Sequence, residues 1–308
     1  MSEKSAGGRG KKLKPAIVLA AFGTTDVDAL ASIINIKNRV RAAFPDHEVR
    51  LAFTSGIIRG VWRKRAGDEE FRAKTPGAPA EVYSITNPLS ALAALAEEGF
   101  APISVQSLHI ADGAEFRDLK AMVTALAGIE TVKPSSRPFV GLALGEPALG
   151  DGGEDYLRRA AEALTPLVRR AEEAGAALVL MGHGNEHLKQ DVYGRLEALL
   201  RKAYPSVSIG LVEGGPGLDY VAEALDNMAD RPETVLLAPL MVVAGDHAKN
   251  DLAGESDDSW ASRLEASGYR IQIHLEGLGS LDAWADIYVE HLNRLRSVRP
   301  ESGDCPAT

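Results

Sequence analysis

Apolar runs of strand length alternate along this chain with longer stretches whose apolar residues recur every three or four positions. Ala16–Phe22 opens the series and gives way to Gly23 and the polar Thr24, Thr25 and Asp26. Leu30, Ile33, Ile34, Ile36 and Val40 follow at helical spacing as far as Phe44-Pro45, where proline ends the helix. Val49–Phe53, Ile103–Leu108 and Phe139–Leu144 are the next strand candidates. The second half repeats the order. Ala177–Met181 leads to a helical stretch carrying Val192, Leu196, Leu199 and Leu200, which stops at Tyr204-Pro205. Val207–Val212, Val235–Val243 and Tyr269–Leu275 come after it. Near-continuous apolar strands that alternate with helices predict parallel sheets covered on both faces.

The repetition extends to local sequence. Arg41-Ala-Ala-Phe-Pro45 corresponds to Arg201-Lys-Ala-Tyr-Pro205, and the same number of residues separates Pro45 from Phe53 as Pro205 from Glu213. The predicted fold is α/β, with two similar doubly wound lobes at 15–150 and 151–297 and mainly parallel sheets. Tails at 1–14 and 298–308 flank them. Ligands of such folds bind outside the carboxyl ends of the strands, so two facing lobes predict a cleft there.

Composition narrows the choices. With 308 residues, 45% apolar and 25% charged, the chain has enough apolar material for two lobes and is not disordered throughout. A net charge of −9 and an aromatic content of 6% argue against nucleic-acid binding, which needs a basic face. No early apolar stretch is long enough to cross a bilayer. Residues 1–14 are polar, Gly-rich and basic, without the apolar core of a secretory signal, which predicts a disordered tail and a cytoplasmic protein. Cys305, the single cysteine, has no partner for an internal disulfide.

Candidate chemistry is confined to the second half. Superposing the halves sets His183 opposite Phe22, Glu213 opposite Phe53, and His247 near Ala114–Glu115. His, Glu and His therefore follow three successive strands, about one βα unit apart, on a scaffold whose first copy lacks them. Neighbouring parallel strands lie about 5 Å apart, so the three side chains can converge at one rim. Two imidazoles and a carboxylate suit a divalent first-row metal with coordination positions left open. The bland reading is that a histidine after a strand is a hydrogen-bonded structural residue. The flanking glycines weigh against it for His183, and the polar Gly-Asp-His-Ala-Lys-Asn-Asp run weighs against it for His247. Glu213-Gly-Gly-Pro-Gly217 reads equally well as a turn. His187 is either a partner of His183 or a surface residue, and His109 faces either the cleft or the core. His47, His274 and His291 read as surface or packing residues. No CxxC, HExxH, P-loop or GxSxG pattern occurs, and Gly214–Gly217 lacks dinucleotide-fingerprint spacing.

Met181-Gly-His-Gly184, Val212-Glu-Gly214 and above all Pro239-Leu-Met-Val-Val-Ala-Gly-Asp-His-Ala-Lys-Asn-Asp251 resemble the anaerobic cobalt chelatase (CbiK) family of class II chelatases. Ala21-Phe-Gly-Thr-Thr25, Gln106-Ser-Leu-His-Ile110, Asp257-Asp-Ser-Trp260 and Gly277-Leu-Gly279 extend the likeness over about residues 14–297. The resemblance implies two α/β lobes around a tetrapyrrole cleft and insertion of Co2+ into sirohydrochlorin on the early-cobalt route to cobalamin. It carries the family's metal-binding histidines to His183 and His247 and its active-site glutamate to Glu213, the predicted catalytic and metal-binding set. The implied partners are sirohydrochlorin and a divalent ion, with no nucleic acid or membrane. Co2+ is the substrate metal, Fe2+ the alternative metal, and no cofactor is permanently bound. Some relatives are exported and bind haem. Without an export segment, haem is not expected here. Phe22, Gly23, Thr24, Ser107, His109, Gly214 and Gly215 are the predicted substrate contacts, with backbone N–H groups at Gly23-Thr24-Thr25 and Gly214-Gly215, both near helix starts, for carboxylates. Arg59, Arg63, Lys64 and Arg65 either draw in further carboxylates or form a solvated helix face. A non-catalytic metal or tetrapyrrole carrier is the alternative from another class, and a homo-oligomer stays open.

Overall fold

A computed structural model describes residues 13–185 and 191–298 of the chain. Apart from residues 13, 14 and 298, the predicted tails lie outside the described residues, as do Cys305 and His187.

All eight predicted strands form. β1 (Lys14–Ala21), β2 (Glu48–Phe53), β3 (Phe100–Ser107) and β4 (Ala143–Gly145) build one parallel sheet in the order β2-β1-β3-β4. β5 (Ala177–Gly184), β6 (Val207–Glu213), β7 (Thr234–Leu240) and β8 (Arg270–Ile273) build a second in the equivalent order, β6-β5-β7-β8. The duplication read from the sequence is thus a duplication of topology. In each sheet the first strand stands second from the edge, flanked by the next two. It is buried on both faces, as a parallel strand covered by crossover helices must be.

Local signals account for the helix boundaries near the strand ends. Leu30, Ile33, Ile36 and Val40 bury one stripe of the helix Leu30–Ala43, which stops before Pro45. Ser55 accepts a hydrogen bond from the N–H of Ile58 and starts the helix Gly56–Ala66 directly after β2. Asn87 caps Pro88–Glu97 in the same way, with proline at the first helical position.

Three strands are shorter than their apolar runs, among them Tyr269–Leu275, of which only Arg270–Ile273 pairs as β8. Phe139–Leu144 was expected to be extended throughout, but Gly141 takes φ +72° and Leu142 N–H turns back to the Phe139 carbonyl, leaving three residues in β4. Val235–Val243 leaves the sheet after Leu240. The carbonyls of Met241 and Val242 are taken by the N–H groups of Leu278 and Gly279 instead.

The final helix, Asp282–Val298, crosses back to the first sheet and packs on Leu30–Ala43, β3 and β4. Trp284 and Tyr288 are fully buried, and the Tyr288 hydroxyl donates to the Leu108 carbonyl at 3.3 Å. Arg39 clamps Asp286 through Nε and Nη2, and Asn35 Nδ2 donates to the Gly279 carbonyl. The two halves consequently share one buried cluster, which runs from Ile17 and Ile33 to Leu178, Leu211 and Leu292. Among the described residues no helix is long and apolar enough to cross a membrane.

Candidate metal-transfer site

The carboxyl ends of the strands of the two sheets meet. Asp26, in the loop after β1, pairs with Lys249, in the segment after β7. Thr24 Oγ1 lies so close to Gly245 that a side chain there would come within 3.4 Å of it. On the other side, Asn185 after β5 donates from Nδ2 to Glu115 Oε2 at 3.3 Å, and Gly113 leaves room for the Asn185 amide. These cross-lobe contacts flank the rim where the predicted histidines stand.

His183 is the penultimate residue of β5. Gly184 follows at φ +77°, and a Cβ on it would sit 1.9 Å from the Glu213 carbonyl, so only glycine lets the ends of β5 and β6 approach this closely. The Gly184↔Glu213 register sets Glu213 beside His183, with Oε2 3.8 Å from His183 Nδ1. His247 lies beyond the end of β7 on the helical turn that runs into the π-turn Ala248–Leu252. The imidazole rings of His183 and His247 have centroids 4.7 Å apart and cross at 90°. Both side chains are about half exposed, 40% and 49%.

Hydrogen bonding orients both rings. A carbonyl or a carboxylate only accepts, so Nδ1–H of His183 donates to the Gly184 carbonyl at 3.1 Å and Nδ1–H of His247 donates to Asp251 Oδ2 at 2.6 Å. Each neutral ring then keeps its lone pair on Nε2, the arrangement in which imidazole ligates a metal. The two partners differ: a neutral carbonyl steadies His183, whereas a carboxylate steadies His247. Among the described residues no group of three or more His, Cys, Asp or Glu side chains is arranged to hold a metal ion. Glu213 faces the Nδ1 side of His183.

The predicted substrate contacts divide. Phe22 is 50% exposed at the end of β1, and Gly214 and Gly215 are exposed after β6. Gly23, at φ +101°, has no room for a side chain against Phe53. Thr24 is buried. Its hydroxyl accepts the Asp26 N–H and its carbonyl accepts from Trp62 Nε1. Ser107 is buried as well and shares a hydrogen bond with His109 Nδ1 at 2.8 Å. His109 Nε2 is sealed from solvent with no hydrogen-bond partner among the described residues, and burial pulls this imidazole down to about 4, opposed by the nearby Glu115 carboxylate. His274 and His291 are buried packing residues.

Sequence reasoning passed over Asp251, Asp26, Lys249 and Asn185. Asp251 had a signal: four residues after His247 on a turn of helical spacing, it occupies the position that faces back to the ring. The cross-lobe partners had none, because nothing local in a sequence pairs Asp26 with Lys249.

The matches to known proteins agree with this architecture. A family model described as cobalt chelatase (CbiK) matches residues 15–296. The chain is 36% identical over 279 residues to the sirohydrochlorin cobaltochelatase CbiKC of Nitratidesulfovibrio vulgaris, covering 91% of this chain and 89% of the relative. It is 32% identical over 293 residues to the sirohydrochlorin cobaltochelatase of Salmonella typhimurium, covering 94% of this chain and 99% of that one. Among solved structures, the sirohydrochlorin chelatase SirB from Bacillus subtilis subspecies spizizenii, in complex with cobalt, superimposes with a TM-score of 0.56 at 15% identity. That alignment covers 92% of this chain and 96% of SirB, a likeness of fold.

Proposed function

The chain belongs to the cobalt chelatase (CbiK) family, and from that premise we propose that it inserts Co2+ into sirohydrochlorin through the rim between its two lobes. Two events make up the reaction. The hydrated ion exchanges water for ring nitrogens, and two pyrrole N–H protons leave. His183 and His247 hold the ion through one Nε2 each, which leaves its opposite side open to the incoming macrocycle. Two neutral nitrogen donors grip loosely enough for the ion to pass on, whereas thiolates would retain it. Glu213 offsets the ion's charge from the His183 side and steadies that ring. As the ion passes to the ring nitrogens, each histidine's Nε2 is released and takes up one of the two pyrrole protons that leave.

Phe22 lies against the macrocycle, and the backbone N–H groups of Gly214 and Gly215 meet carboxylates at its edge. The lobes at 15–150 and 151–297 act as the two jaws, one carrying the apolar contact and the other the imidazoles. The observation that most supports this reading is the crossed pair of rings, 4.7 Å apart with both Nδ1 atoms occupied, standing where the strand ends of the two lobes meet.

The test is the absorption spectrum of sirohydrochlorin with the purified protein under anaerobic conditions, as Co2+, Fe2+ or Ni2+ is added at limiting concentration. Fastest conversion with Co2+ is expected. Faster conversion with Fe2+ would make iron the metal, and tetrapyrrole binding with no metal-dependent spectral change would make the protein a carrier.

A further inference from the structure

The basic cluster on the helix Gly56–Ala66 does not act as one surface. Arg65 donates to the Thr25 carbonyl and stacks on Trp62 and Phe71, so it braces the loop after β1. Arg59 and Arg63, one turn apart, behave differently. Arg59 Nη1 donates to the carbonyls of Phe53 and Thr54 at the end of β2, and among the described residues no carboxylate pairs with it. Arg63 is exposed and makes no hydrogen bond or ion pair among the described residues. Like charges one helical turn apart repel, and burial together with the charge of Arg63 lowers the Arg59 pKa.

Arg59 and Arg63 line a cavity of about 250 Å³ together with the segment 83–87 and Ser90. The wall is donor-rich, and it stands at the carboxyl end of β2, since Phe53 N–H donates to the Thr86 carbonyl. The end of β2 adjoins Phe22, whose carbonyl accepts the Ser55 N–H. Two arginines without a carboxylate partner among the described residues, lining one concavity with hydroxyl-bearing residues and an amide, provide the donors of an oxyanion site. On a chain of net charge −9, an anionic ligand needs such a local counter-field.

We infer that the cavity between Arg59, Arg63 and the segment 84–90 is a carboxylate site that receives a side-chain arm of the tetrapyrrole. This rests on the reading of the substrate as sirohydrochlorin, a polycarboxylate. An arm seated there anchors the macrocycle to the first lobe while its centre faces the histidines of the second. Binding energy far from the reacting nitrogens then fixes their position.

Arg63→Glu is the informative variant, because Arg63 holds nothing in the fold, and an unchanged melting temperature checks this. Binding is measured without metal or turnover, by fluorescence with the octacarboxylate uroporphyrin and the tetracarboxylate coproporphyrin. Losing a charge-assisted contact and gaining a repulsion predicts uroporphyrin binding weaker by about tenfold or more. The loss should be smaller for coproporphyrin and should shrink at high salt. KM for sirohydrochlorin should rise in parallel, with KM for Co2+ unchanged. Unaltered uroporphyrin binding in Arg63→Glu overturns the inference. So does a site for free anions, seen as inorganic phosphate raising the wild-type but not the variant melting temperature while tetrapyrrole binding stays the same in both. The binding arm is independent of catalysis. A wild type that metallates nothing, beside a variant that binds uroporphyrin weakly, sinks the functional reading and leaves the site standing.

Discussion

Replacing Asp251 by alanine separates what the turn after β7 contributes to stability from what it contributes to metal handling. Among the described residues Asp251 has one partner, His247 Nδ1 at 2.6 Å, and the two side chains are 40% and 49% exposed. An exposed pair at this spacing on a helical turn contributes about 0.3–0.5 kcal/mol to folding, so the variant should melt within a few degrees of the wild type. Its effect on the metal follows a different rule. Partners that orient a ligating imidazole and fix its tautomer contribute about 10–100-fold in metal affinity, equivalent to about 1.4–2.7 kcal/mol. Water replaces the lost carboxylate at a half-exposed ring, which puts the expected effect near the lower bound, a rise of about tenfold in KM for Co2+. KM for sirohydrochlorin should not change. Asp251→Asn retains an acceptor for Nδ1–H and should recover most of the loss. The assay is the anaerobic initial rate at saturating sirohydrochlorin with Co2+ varied, alongside thermal melts of each variant. Unchanged KM for Co2+ in Asp251→Ala, or an equal rise in both KM values with a large drop in melting temperature, would refute the orienting role.

Three further outcomes are expected. Burial pulls His291 down to about 4, opposed by its hydrogen bond to the Glu146 carbonyl and reinforced by the charges of Arg294 and Arg159. Between about pH 6.5 and 4 the unfolded chain binds a proton that the folded chain rejects, so stability falls as pH drops through that window, by on the order of 2–3 kcal/mol for this group. Denaturant midpoints at several pH values should fall less steeply for His291→Gln, and parallel curves would contradict the assignment. Trp284→Ala, which empties a fully buried position under the returning helix, should cost about 3–5 kcal/mol in chemical denaturation. Asp26→Ala and Lys249→Ala should each alter KM for Co2+ or sirohydrochlorin, with the Asp26→Lys, Lys249→Asp pair recovering part of the loss; independent, additive effects in that cycle would remove the cross-lobe bridge from the account.

The sequence was most legible where burial decides an element's form. β1, β5 and the other buried strands announce themselves because both faces need apolar residues, and the helix Leu30–Ala43 because its buried stripe recurs at helical spacing. Strand ends were less legible. An apolar run does not reveal that Gly141 turns the chain, or that Met241 and Val242 bond to the loop before the last helix. In the site, placing His183 and His247 after successive strands of the second half anticipated that their rings would lie close, since β5 and β7 are neighbours in one sheet and both histidines stand at its carboxyl end. Ser107 and Thr24 show the opposite limit. Both were predicted substrate contacts, yet their hydroxyls are buried and engaged by His109 and by the Asp26 N–H. The return of Asp282–Val298 to the first sheet rests on Trp284, Tyr288 and Asp286 finding distant partners, which no periodicity encodes.

The central claim is that two crossed imidazoles in the second half hold the ion and pass it on. Its most direct test is the anaerobic conversion of sirohydrochlorin by His183→Ala, His247→Ala and the double variant, each checked for wild-type melting behaviour and tetrapyrrole binding. The account predicts that each single variant binds sirohydrochlorin normally but metallates it far more slowly, and that the double variant is no better than free solution. Conversion at the wild-type rate in either single variant, with the fold intact, would contradict it.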